Sequence, residues 1–148
     1  EETYYMQELN DELIEFYQRE KATSIVDFYC GLCNYAINIK EVGFQVEAYD
    51  NNPYVSELTK GFVKTLDLTT KQRLPKQYDW VQSFDIADRI TKDKIVEYIE
   101  NIARHAEKGA IISWKNQKSE EISKNKLNQK IIELFLLSNL IIDNTTSK

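Results

Sequence analysis

The chain has 148 residues, 42% hydrophobic and 29% charged, with only four glycines and two prolines, a make-up that fits one compact domain and excludes collagen-like, disulfide-scaffold and disordered classes. A net charge of −5, from 24 acidic against 19 basic residues, argues against a phosphate-neutralising surface, so nucleic acid is not an expected partner. No run of about 18 apolar residues occurs and no basic stretch followed by an apolar one opens the chain, which argues against membrane and secretory readings and leads us to expect a cytoplasmic protein.

Tyr4 to Glu20 sets Leu9, Leu13, Phe16 and Tyr17 at helical spacing among acidic and amide residues, the pattern of an amphipathic helix. Ser24 to Phe28 is a β-rich run, followed by a glycine-containing turn and a helical pattern through Tyr35, Ile37, Ile39 and Val42. Gly43 stands where a left-handed helix cap is wanted, and Phe44 to Tyr49 resumes strand alternation. Asp50-Asn51-Asn52-Pro53 is turn chemistry opening a short helix, Tyr54 to Lys60, which Gly61 ends. Phe62 to Leu66 reads as a third strand, Tyr78 to Phe84 as a fourth, Thr91 to Glu107 as a helix and Gly109 to Trp114 as a fifth strand, apolar enough to be buried on both faces. Lys115 to Lys130 reads as a polar loop entering a helix that takes in Leu127, Ile131, Ile132, Leu134 and Phe135; Leu137 to Ile142 fits either a sixth strand or more of that helix.

Strands alternating with helices predict an α/β fold with a doubly wound, mostly parallel sheet. Ligands of such sheets bind beyond the carboxyl ends of the strands, where the strand order reverses. Four successive strand ends carry Asp27, Asp50, Asp67 and Asp85. Asp50 lies about 20 residues past the first turn, the spacing of a carboxylate that accepts hydrogen bonds from a ribose diol. An acidic rim suits a cationic, adenosine-bearing ligand better than a pyrophosphate.

Over about residues 20–115 this arrangement resembles the class I S-adenosylmethionine-dependent methyltransferases, with type 11 and type 23 methyltransferase domains as the nearest kinds. The family's first loop reads roughly Asp-x-Gly-x-Gly-x-Gly; Asp27 and Gly31 match it, while Tyr29 and Cys33 stand where glycines are usual. Such glycines allow a close approach and positive φ, which costs another residue roughly 1–2 kcal/mol. The resemblance implies a Rossmann-like methyltransferase fold and S-adenosylmethionine as cofactor. Asp50 and Asn51 would serve the ribose, Asp67 and Leu68 the adenine, and Asp27, Tyr29 and Gly31 the loop beneath the methionine part. Ser83-Phe84-Asp85-Ile86-Ala87-Asp88-Arg89-Ile90 is similar to the segment after the family's fourth strand, with Ser83 and Asp85 at the pocket wall. The antiparallel strand that closes the family's sheet is not evident. The expected organisation is one methyltransferase-like domain over 1–148: an N-terminal helix in 1–22, a cofactor-binding core in 23–115, and a helix with a candidate strand in 116–148.

The implied activity is methyl transfer to a small-molecule or protein acceptor. A first alternative is a catalytically inactive methyltransferase-like subunit that binds a protein partner. A second is a thioredoxin-like thiol-disulfide protein, since Cys30-Gly31-Leu32-Cys33 follows a strand and opens a helix. A zinc site on this one Cys-x-x-Cys lacks clustered further ligands, so no metal is expected. As small loop residues the two cysteines also read as replacements for glycine. Asn51-Asn52-Pro53-Tyr54 resembles the Asn-Pro-Pro-Tyr signature of amino-group nucleic acid methyltransferases, but it follows the second strand instead of the fourth and reads better as a helix-start turn. His105, the only histidine, ends a helix away from the rim and reads as structural, and Trp80 and Trp114 read as core.

Overall fold

The computed structural model describes residues 7–30, 33–84, 86, 89–112 and 141–143. The expected loop and helix between Lys115 and Phe135, and Trp114, lie outside the described residues. The elements are α1 (Gln7–Arg19), β1 (Ser24–Phe28), α2 (Asn34–Val42), β2 (Gln45–Asp50), α3 (Val55–Leu58), β3 (Val63–Thr65), β4 (Tyr78–Ser83), α4 (Lys92–His105), β5 (Ala106–Ile112) and β6 (Ile141–Asp143).

The sheet order is β3-β2-β1-β4-β5-β6. Strands β1 to β5 are parallel, and β6 runs antiparallel to β5. The closing strand that the sequence did not make evident is therefore present. It is only three residues long, too short for a period-2 pattern, and it pairs Ile141 with Ile111, Ile142 with Ala110 and Asp143 with Gly109.

Alternation along the central strands divides the core into two layers. Ile25 and Trp80 are register partners on one face, where Leu13 and Tyr17 of α1 and Tyr35 and Ile39 of α2 cover them together with Ile111. Val26, Val81 and Ala110 are partners on the other face, beneath Ile95, Tyr98, Ile99 and Ile102 of α4. Because helices cover both faces, β1 and β5 need apolar residues on both sides. The Phe16 ring meets Trp80 edge-on with centroids 4.9 Å apart, a favourable aromatic geometry.

Local chemistry sets the element ends. Gly43 ends α2 at φ 124 with its N–H on the Lys40 carbonyl, 3.0 Å away. A Cβ there would meet nothing within 4 Å, so conformation and not space demands glycine. The helix expected over Tyr54 to Lys60 shortens to α3, which closes where Lys60 turns left-handed at φ 55 and the Gly61 N–H reaches back to the Ser56 carbonyl at 2.7 Å. Helix α4 ends at His105, earlier than expected, and β5 starts at once, with Ala106 already paired to Tyr78.

The chain steps outward from β1 to β2 to β3, then returns to the opposite side of β1 as β4. The strand order reverses between β1 and β4, and the ends of these two strands with the loops beside them form the crevice where such folds bind ligands.

Candidate functional site

Asp27, on β1, is 2% exposed. Its Oδ2 accepts a hydrogen bond from Gln82 Nε2 at 2.8 Å, and Gln82 Oε1 accepts one from the Tyr17 hydroxyl at 2.7 Å. This buried relay ties α1 to β4 and β1. Its other end is incomplete, because Asp27 Oδ1 is buried with no partner among the described residues. Burial pushes the Asp27 carboxyl up to about 7, against the opposing Gln82 hydrogen bond and with the charge of Asp50 adding to the rise.

The turn after β1 carries two left-handed residues, Tyr29 at φ 65 and Cys33 at φ 63. These are the two positions where the family pattern has glycine. The N–H groups of Tyr29 and Cys30 both point to the Tyr49 carbonyl, at 2.7 and 3.4 Å, and the Cys33 N–H bonds the Cys30 carbonyl at 2.8 Å. A disulfide joins Cys30 to Cys33, and Cys33 caps the N-terminus of α2. Gly31 lies outside the described residues. Tyr29 is 4% exposed, its ring 6.1 Å from that of Tyr98. Its hydroxyl lies near the Leu68 backbone without a well-formed hydrogen bond. Burial, then the charges of Asp67 and Asp50, push the phenol up to about 12.

Asp50 ends β2 and is mostly buried; its Oδ2 accepts the Asn52 N–H at 3.1 Å and its carbonyl accepts the Leu66 N–H at 2.8 Å. Asn51 is exposed beside it. The Tyr54 N–H bonds Asn52 Oδ1 at 2.9 Å, so the Asn-Asn-Pro-Tyr segment is a turn as read from the sequence. Asp67 is exposed, and the hydroxyl and N–H of Thr69, at 2.6 and 3.0 Å, hold its carboxyl below the ordinary aspartate value. Leu68 turns inward instead, fully buried in the α4 layer. Tyr29, Asp50, Asp67 and the Leu68 backbone thus come together on one side of the crevice.

Ser83, at the end of β4, is fully buried; its hydroxyl donates to the Phe28 carbonyl at 2.8 Å and accepts from Tyr98 at 2.7 Å. It braces the end of β1 from below. Asp85 lies outside the described residues.

Sequence reasoning missed the latch beneath the third loop. Asn101 of α4, fully buried, donates from Nδ2 to the carbonyls of Leu68 and Thr70, both at 2.9 Å. Its Oδ1 accepts from the Gln72 N–H at 2.9 Å and from Arg104 Nη1 at 2.6 Å. His105 continues the latch: Nε2 accepts the Leu74 N–H at 2.9 Å, so Nδ1 carries the proton and donates to the Asn101 carbonyl at 2.8 Å. Burial, opposed by the Asn101 carbonyl and helped by the charges of Arg104 and Arg73, lowers the His105 pKa. The usable signals were a lone Asn on the apolar face of α4 and a Gln inside the apolar β4.

No protein-family model matches the chain, and no curated protein matches its sequence. Solved structures do match. A magnesium protoporphyrin IX methyltransferase from Synechocystis with bound SAM superposes with a TM-score of 0.63 at 18% identity, covering 80% of this chain and 67% of its own. An S-adenosylmethionine-dependent methyltransferase from Clostridium acetobutylicum gives 0.64 at 14% identity, over 74% of this chain and 50% of its own. A SAM-bound amino pentose methyltransferase from Micromonospora echinaspora gives 0.61 at 15%, over 77% and 58%. The fold is that of the class I methyltransferases. The chain spans about half to two thirds of the length of these methyltransferase structures.

Proposed function

We propose that the chain is the S-adenosylmethionine-binding core of a methyltransferase acting on a small-molecule or protein acceptor. The carrying observation is the placement of Asp27, Asp50 and Asp67 at or just past the ends of three adjacent parallel strands, beside the reversal in strand order. A cytoplasmic setting goes with this reading. Among the described residues no helix is long and apolar enough to cross a membrane.

The donor set fits the cofactor in charge. The unpartnered, buried Asp27 Oδ1 is an acceptor suited to an ammonium group. Asp50 and Asn51 would hold the ribose hydroxyls, Asp67 and the Leu68 backbone the adenine edge, and Gly31 and Asp85 the methionine part. The cofactor, when bound, supplies a methyl group on a sulfonium that is already a good leaving group. The chain's own contribution is alignment and exclusion of water, and many acceptors need no general base. His105 is not a base for the reaction, since both ring nitrogens are engaged in the latch. Burial of Tyr29 at the nucleoside side favours a second reading, a non-catalytic subunit retained for binding a protein partner.

Calorimetric titration of the reduced protein with S-adenosylhomocysteine decides between them. Micromolar binding that weakens at least ten-fold in Asp50→Ala supports the cofactor site. No binding at millimolar ligand overturns it in favour of the second reading.

A further inference from the structure

We propose that Cys30 and Cys33 form a two-electron redox site whose state sets whether Tyr29 occupies the nucleoside side of the crevice; the inference rests on the cofactor reading above. Three observations meet at one turn. The disulfide closes the segment between the end of β1 and the start of α2. The residue before this ring and the residue that ends it both stand at left-handed φ, Tyr29 at 65 and Cys33 at 63. The Tyr29 side chain is buried against Tyr98 and near the Leu68 backbone, beside the carboxylates assigned to the nucleoside.

A left-handed conformation costs a residue with a side chain about 1–2 kcal/mol, and it persists only where its surroundings impose it. The covalent ring begins directly after Tyr29 and ends at Cys33, and so limits how far either residue can leave that conformation. Opening the ring removes the covalent tie and leaves hydrogen bonds to hold the turn, among them the Cys33 N–H on the Cys30 carbonyl and the Tyr29 and Cys30 amides on the Tyr49 carbonyl. Tyr29 can then return to negative φ, which turns its ring away from Asp50, Asp67 and Leu68.

The chemistry balances with a small or protein dithiol as reductant. Its thiolate attacks Sγ of Cys30, the more exposed of the two residues at 8% against 2% for Cys33. The disulfide bond breaks, and the electron pair leaves on Cys33, whose thiolate the N-terminus of α2 stabilises. The second thiol of the reductant attacks the mixed disulfide, releasing Cys30. The reductant ends as a disulfide, and its two thiol protons end on Cys30 and Cys33.

The test compares air-oxidised protein with protein equilibrated in dithiothreitol, using S-adenosylhomocysteine calorimetry and amide hydrogen exchange. The expected result is at least ten-fold tighter binding by the reduced form and at least ten-fold faster exchange of the Tyr29 and Cys30 amides. A Cys30→Ala/Cys33→Ala double variant should match the reduced form and ignore dithiothreitol. Equal affinity in both redox states overturns the inference and leaves the cofactor site standing. If neither state nor the double variant binds, the cofactor reading falls. The redox site is then judged by exchange alone, and unchanged exchange overturns it too.

Discussion

Two loops meet at the same rim and are held in opposite ways. The turn after β1 is short and covalent, closed by the Cys30–Cys33 disulfide, with Tyr29 and Cys33 left-handed. The connection after β3 is long and polar, and hydrogen bonds from Asn101, Arg104 and His105 of α4 order it. A long loop with few apolar contacts needs its backbone groups satisfied from outside, and one buried amide supplies donors and acceptors together. A short turn has little room for such partners, so a bond and local backbone conformation do the work. The hydrogen-bonded loop keeps its ties at any redox potential; the covalent turn does not.

The largest effect should come from breaking the hydrogen-bonded loop. Asn101→Ala removes the amide partner of the Leu68 and Thr70 carbonyls and of the Gln72 N–H, and is expected to cost about 3–5 kcal/mol in urea unfolding. A loss under 1 kcal/mol would mean that water replaces the amide readily and that the two loops differ less than their bonding suggests.

Beside the covalent turn, Asp27 gives the next effect, through pH. Its folded pKa of about 7 lies above the ordinary value of 3.8, so the folded state holds the proton more tightly than the unfolded state. Stability from this group is full below pH 4, declines as pH rises towards 7 and is flat above that, a swing of about 2–4 kcal/mol. Asp27→Asn should remove that decline, visible as a variant-minus-wild-type difference that grows between pH 4 and 8. A constant difference across this range would show that Asp27 stays ionised.

The smallest effect should come from reduction itself. Closing so short a ring stabilises by at most about 2 kcal/mol on the chain-entropy account, and relief of the left-handed residues offsets part of it. Dithiothreitol should therefore lower the urea midpoint slightly while leaving protection of the Gln72 and Leu74 amides unchanged. Loss of protection at both loops would show that they are one cooperative unit.

The sheet was legible in the sequence because burial on two faces writes itself into Ile25-Val26-Asp27-Phe28 and the apolar β5, and because Gly43 marks a cap that only backbone geometry explains. Asp27, Asp50 and Asp67 were legible as strand-end carboxylates by spacing. What escaped depended on partners distant in sequence. Gln82 joins Tyr17 to Asp27 across 65 and 55 positions, and Asn101 reaches 33 back to Leu68. Leu68 could be assigned to the adenine side by position, but whether its side chain or its backbone faces the ligand depends on α4. β6 overlaps Leu137–Ile142, where the pattern fits strand or helix alike because so few residues carry no period; pairing with β5 decides for strand.

That pairing has a bearing on solubility. β5 is a run of seven residues ending in Gly109-Ala110-Ile111-Ile112, buried from Gly109 to the end. Without Ile141–Asp143 beside it, its backbone donors and acceptors would form an open apolar edge, the template on which separate chains add strand to strand. β6 therefore acts as a guard against self-association, and a chain cut before it would lose colloidal stability before it lost its fold.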